Sequence, residues 1–206
     1  MQLRKSWTTI SMLDFKLSDW HYGLSYTDNK SFVYPKIPKC ASEWGKQYFL
    51  ALGWKHKSFV VDSLFDLTAL VFLREPKERY IAGLGEYLSR HHRSLYHEAT
   101  NSVEFCNSIF KLIFRDLLFD EHTCPQTFFI QNLTNPVYFK VDDNLSETVA
   151  SFLGTPVNNT FVNSKVNGIG WRELALEYLA NNELATKTLD SYLKTDYDLF
   201  NSVRFN

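Results

Sequence analysis

The stretch Ser31–Trp54, SFVYPKIPKCASEWGKQYFLALGW, restricts the fold more than any other part of the chain. A β-prone apolar run, Ser31–Ile37, meets a tight turn at Pro38-Lys39 and a small-residue bend at Cys40-Ala41-Ser42. A helical pattern follows, with Trp44, Tyr48 and Leu52 at i, i+4 and i+8. Pro35 gives up a ladder donor and marks where pairing stops. The expected unit is a strand, a phosphate-sized loop and a helix start with a lysine at the bend. The first amides of a helix have no intrahelical acceptor and lie at the positive end of its dipole, so such a loop suits an anion. Lys39 adds a mobile point charge.

The rest of the chain repeats the alternation. Lys55–Lys57 reads as a short basic link, Ser58–Asp62 as a buried strand, and Ala69–Leu73 as a fully apolar strand that delivers Arg74. Glu75-Pro76 opens a helix through Tyr80, Ile81, Leu84 and Leu88, ending in the basic cluster Arg90-His91-His92-Arg93. Val103–Phe119 has a helical apolar period, and the polar segment DEHTCPQ follows at Asp120–Gln126. Thr127–Ile130 and Val137–Val141 read as strands, and Ser146–Leu153 as a helix that stops before Gly154. A glycine-containing polar loop spans Phe161–Gly170, and Trp171–Leu199 forms one or two helices broken near Asn181-Asn182. Residues 1–30 form a hairpin or packing arm to which no chemistry is assigned. This order predicts one α/β domain over residues 1–206, with an arm at 1–30, a core at 31–206 and a mainly parallel sheet flanked by helices. Ligands of such sheets sit beyond the carboxyl ends of the strands. Lys39, Asp62, Arg74 and His122 each follow an apolar run, so they are expected to converge on one rim.

Composition removes several alternatives. Apolar residues make up 45 % of the chain and aromatic residues 16 %, ample for a core and unlike a disordered segment. A net charge of −1 carries no global signature of nucleic-acid or anionic-membrane binding. Cys40, Cys106 and Cys124 are odd in number, widely spaced and without a CxxC pair, so they read as reduced thiols of a cytosolic compartment. No signal peptide or membrane-length apolar run is visible, which predicts a soluble cytoplasmic protein. The Walker pattern GxxxxGK[ST] does not occur.

Five segments in order resemble the sulfotransferases that use 3′-phosphoadenosine 5′-phosphosulfate (PAPS), in their carbohydrate branch. Ile37-Pro38-Lys39-Cys40-Ala41-Ser42 is similar to the 5′-phosphosulfate loop. Phe72–Tyr87, FLREPKERYIAGLGEY, looks like the 3′-phosphate segment, with Arg74 matching the phosphate-gripping arginine and Arg79 a second family arginine. Asp120–Gln126 resembles a D-x-H-x-x-P-Q element, Val162–Lys165 a late Asn-Lys-Ser type loop, and Tyr192–Phe200 the C-terminal helix of the family. The resemblance implies a P-loop-like three-layer fold. It also implies PAPS as cosubstrate, adenosine 3′,5′-bisphosphate as product, no metal, and a hydroxyl-bearing acceptor such as a glycan. Its cofactor-binding positions fall on Pro38, Lys39, Cys40, Ala41, Ser42, Glu43, Trp44, Arg74, Ala82 and Lys165. Neither nucleic acid nor membrane is expected as a partner, and the length suits a compact microbial or viral form. Two positions depart from the pattern. Glu43 stands where a hydroxyl usually follows the loop serine, so its carboxylate must point away, pair with Lys46 or be itself catalytic. Ala82 replaces the 3′-phosphate serine and removes one hydroxyl contact.

Sulfuryl transfer needs positive charge at the leaving group and a base for the acceptor hydroxyl. Lys39 suits the first task. Asp62 and His122 are the two candidates for the second, with Asp62 slightly preferred on topology and His56 a lesser candidate. Two other readings stand beside this one. One is a sulfotransferase-like protein that binds a nucleotide or glycan without turnover, motivated by Glu43 and Ala82. The other is a small-molecule kinase of related architecture, disfavoured by the missing Walker Lys-Ser/Thr pair.

Overall fold

The structure is a computed structural model that describes residues 23–27, 31–57, 67–131, 133–157 and 168–206. Its centre is a five-stranded sheet. The strands are β1 (Leu24–Tyr26), β2 (Phe32–Pro35), β3 (Lys55–Lys57), β4 (Thr68–Leu73) and β5 (Asn135–Lys140), in the order β3-β1-β2-β4-β5. β4 runs parallel to both β2 and β5, whereas β1 is antiparallel to β2 and β3. The expected mainly parallel sheet is therefore a mixed one. The difference arises at Lys55–Lys57, which reads as a basic link but pairs with β1 as an edge strand whose two lysines are exposed. Charged edge strands discourage pairing with another chain, and their composition hides them from an apolar-run search. β4, buried from Ala69 to Leu73, is the continuous apolar run expected of a central parallel strand.

The described residues form eight α-helices: α1 (Ser42–Ala51), α2 (Pro76–His91), α3 (Tyr96–Asn101), α4 (Val103–Asp116), α5 (Leu145–Leu153), α6 (Ile169–Ala180), α7 (Glu183–Tyr192) and α8 (Lys194–Ser202). Local chemistry sets several boundaries. The Glu75 side chain accepts from the Glu78 amide at 2.6 Å, with Pro76 next in the chain, and so starts α2. Ser102 and Asn182 cap α4 and α7 in the same manner. Gly154, at φ 64°, closes α5 in the left-handed conformation. The break expected near Asn181-Asn182 is present, and a second one at Leu193 divides the last helical stretch again.

Thr127–Ile130 is a correction. The apolar run reads as a strand, but Gln126–Phe129 is a 3-10 helix. The buried carboxylate of Asp196 on α8 accepts from the Gln126 amide at 2.7 Å and from the Thr127 amide and hydroxyl at 2.8 Å. This long-range cap satisfies the first turn of the 3-10 helix and overrides the local β preference.

Two apolar clusters result. One joins the sheet to α1 and α5 through Tyr34, Phe49, Phe72, Phe139 and Val149. The other gathers α2, α4, α6 and α7 around Tyr80, Leu84, Phe110, Trp171 and Leu189. The proposed strand Ser58–Asp62, the late loop segment 161–167 and the arm 1–22 lie outside the described residues.

Candidate functional site

The turn after β2 carries two non-glycine residues with positive φ, Lys39 at 65° and Ala41 at 52°. Each such residue costs roughly 1–3 kcal/mol and persists only where surrounding contacts fix it. Three contacts do so here. The Arg79 guanidinium, fully buried on α2, donates from Nε to the Pro38 carbonyl at 2.9 Å. The Cys40 amide donates to the Ile37 carbonyl at 3.2 Å. Cys40 Sγ donates to Gln126 Oε1 at 3.3 Å. The turn leads into α1, where Ala41 is the N-cap residue and no side chain caps the first turn. The amides there project from an uncapped helix start, as an anion cradle requires.

Gln126 ties this turn to the end of β4. Its Oε1 also accepts from the Arg74 amide at 3.3 Å, and its Nε2 donates to the Arg74 carbonyl at 2.9 Å. One buried side chain thus bridges the Lys39 turn and the Arg74 position. Arg79 adds a second bridge, since Nη1 donates to the Cys124 carbonyl and Nη2 to the Glu121 carbonyl at 3.4 Å. Arg79 is therefore a clip that joins α2 to the Pro38 turn and to the Glu121–Cys124 segment, with its guanidinium occupied by backbone carbonyls. Arg74 itself is partly exposed, and its Nε donates to Glu78 Oε2 at 3.3 Å, a pair that an incoming anion can exchange.

At the other side of the turn, Lys39 Nζ forms an ion pair with Glu86 Oε2 on α2. Glu86 Oε1 pairs with Arg90 Nη2, one helical turn further on, and lies 3.7 Å from His122 Nε2. Burial works to raise the Glu86 pKa. The Lys39 hydrogen bond and charge, with His122 and Arg90, outweigh it, so the carboxyl lies below its ordinary value and remains ionised. His122 is buried, and its Nδ1 faces Asp120 Oδ2 at 2.9 Å. Asp120 Oδ1 accepts from the His122 amide at 2.9 Å. The carboxylate holds the ring with Nε2 directed towards Glu86 and the Lys39 turn. The donor atoms of Asp120, Glu121 and His122 lie within 4.8 Å of one another, a spacing that could hold a metal ion. Both Asp120 oxygens are engaged by His122.

The close approach of this loop depends on Gly83, one turn before Glu86 on the same helix face. A Cβ at 83 would overlap the His122 carbonyl oxygen and lie 2.7 Å from its carbon.

The remaining expected site residues are distributed as follows. Pro38 and Cys40 are buried, so only their backbone can face a ligand. Burial raises the Cys40 thiol pKa, against the lowering effect of Arg79. Ser42 and Trp44 lie in the first turn of α1, and the Trp44 ring stacks on Tyr48 at 4.9 Å. Glu43 turns aside to Lys36, at 2.5 Å, and not to Lys46. Ala82 is buried on α2. His122 comes from the segment after α4 and not from a strand end, yet it reaches the same place. His56 is on β3, separated from β2 by β1, with Nδ1 3.4 Å from Ser25 Oγ. It does not join the cluster. Asp62 and Lys165 lie outside the described residues.

The sequence reading overlooks Glu86, and it places Asp120 and Gln126 in the D-x-H-x-x-P-Q element and Asp196 in the C-terminal helix without giving any of the three a task of its own. The pattern GLGEY contained a signal for Glu86: two glycines inside a helix are unfavourable unless something approaches closely. No protein-family model, curated protein or solved structure matches the chain.

Proposed function

We propose that the protein is a PAPS-dependent sulfotransferase that moves a sulfuryl group to a hydroxyl, with a carbohydrate as the favoured acceptor class, on a P-loop-like scaffold. The observation that carries this reading is the bridge made by Gln126. It joins the Lys39 turn to Arg74, the two segments expected to take the 5′- and 3′-phosphate ends of the nucleotide. Four of the five segments that resemble the family meet around this bridge, since Asp196 of the C-terminal helix holds Gln126 in place.

The donor set fits the cosubstrate. The uncapped start of α1 and Lys39 suit a phosphosulfate, and Arg74 suits a phosphate monoester through planar, charge-assisted contacts. PAPS supplies the activated sulfuryl group. Lys39 stabilises negative charge at the turn, and the α1 amides orient the anion. His122 takes the acceptor proton at Nε2, with Asp120 at Nδ1 fixing the ring and stabilising the imidazolium that forms. Sulfuryl transfer of this kind makes its largest demands on positioning and charge stabilisation.

Transfer of labelled sulfate from PAPS to a panel of glycan acceptors tests the proposal. Lys39→Ala is expected to abolish transfer, and full activity in that variant would sink the site assignment. A binding protein without turnover is the second reading, favoured by Glu43 in the first turn of α1 and by the missing hydroxyl at Ala82. Calorimetry separates the two: adenosine 3′,5′-bisphosphate binding without transfer to any acceptor selects the second.

A further inference from the structure

Glu86 sits at the centre of the cluster but has no assigned task. Its carboxylate bridges two cations, Lys39 and Arg90, and lies next to the buried His122 ring. The Glu86 side chain is 9 % exposed, Lys39 22 % and Arg90 54 %. The carboxylate is thus the most enclosed member of the trio, and solvent reaches the site through the cations. Two cations on one carboxylate leave the trio with an excess of one positive charge. Asp120 adds a second carboxylate, but it is engaged by His122. Gly83 and Gly85 serve close approaches, to the His122 carbonyl and to Gly168 and Arg172 respectively, whereas Glu86 makes ion pairs alone.

We propose that Glu86 is a resident counter-ion: it pairs with Lys39 and must be displaced before an anion can bind there. The inference rests on the reading of the Lys39 turn as an anion site. It adds that the site is held partly closed by its own acid. An entering ligand has to outcompete a carboxylate for Lys39, so the site favours multiply charged phosphate groups over weak monoanions. Displacement also moves Glu86 away from His122 Nε2.

The distinguishing property is its sign. If Glu86 merely shaped the site, Glu86→Gln would weaken anion binding. A counter-ion predicts the opposite. With inorganic pyrophosphate as probe, Glu86→Gln is expected to bind about tenfold or more tightly than the wild type at low salt, because a nearby negative charge is removed from a partly enclosed site. Unchanged or weaker binding by a folded variant overturns the proposal. Circular dichroism of the variant reports whether it folds. If it does not, the wild type decides. The 13C carboxyl resonance of Glu86 is expected to shift as pyrophosphate saturates the protein, and a resonance that stays in place under saturation overturns the proposal equally. Neither measurement requires sulfuryl transfer, so an inactive protein that binds pyrophosphate still tests the counter-ion. If pyrophosphate binds neither the wild type nor a folded Glu86→Gln variant, the anion site itself is refuted, and the counter-ion with it.

Discussion

Two turns meet against α2, and they are built in opposite ways. The Asp120–Phe129 segment is saturated with side-chain bonds. Asp120 holds His122, Arg79 takes the Glu121 and Cys124 carbonyls, Asp196 takes the Gln126 and Thr127 amides, and Tyr192 donates to the Thr123 carbonyl at 3.1 Å. The Pro38–Trp44 turn has its underside fixed by Arg79 and Gln126, yet its helix start carries no side-chain cap and Lys39 is held by a single carboxylate. One turn is scaffold and the other is left with donors to offer. A site needs both, because an anion cradle with two strained residues keeps its shape only against a neighbour that does not yield.

The largest expected break in this contrast is Arg79→Leu. It removes a buried cation whose three backbone acceptors include the Pro38 and Cys124 carbonyls, both enclosed. Leaving such acceptors unpaired is worth about 3–5 kcal/mol of destabilisation in all, readable by urea denaturation. A loss below about 1 kcal/mol would mean that the clip is dispensable. Gly83→Ala comes next, at about 1–3 kcal/mol, because the added methyl group meets the His122 backbone. A variant with wild-type stability would contradict the close approach. Under the proposed function the substitution should also reduce sulfuryl transfer by displacing His122 relative to Lys39. Glu43→Gln lies at the small end. Its partner Lys36 is buried but Glu43 is more than half exposed, so the pair contributes no more than about 1 kcal/mol. Removing this acid from the first turn of α1 should modestly strengthen pyrophosphate binding, by less than the Glu86 change, since Glu43 already points away from Lys39.

These rankings show which parts of the site are legible in one dimension. Lys39, Ser42 and Arg74 can be found because each ends or begins a regular element, where periodicity breaks off. His122 is found through its polar segment, which follows the amphipathic helix α4 as the apolar period predicts. Glu86 escapes because the glycines beside it mark a close approach without naming a partner, and Gln126 is placed by its motif but the bridge it makes is not. Their tasks exist only with partners 47 and 86 residues away in the sequence, Lys39 and Cys40 respectively.

Local chemistry along the chain sets the alternation of apolar runs, the helix start at Glu75-Pro76, the helical period from Val103, the break at Asn181-Asn182 and the strand–turn–helix unit at Ser31–Trp54. The helix start and the break rest on contacts within a few residues, whereas the Lys39 turn of that unit keeps its shape through Arg79 and Gln126. Tertiary structure decided the antiparallel half of the sheet, the 3-10 turn at Gln126–Phe129, the burial of Arg79 and the counter-ion on Lys39. The physical reason is shared by all four. A backbone group or charge removed from water must find its partner wherever the fold provides one, and sequence distance places no limit on that partner.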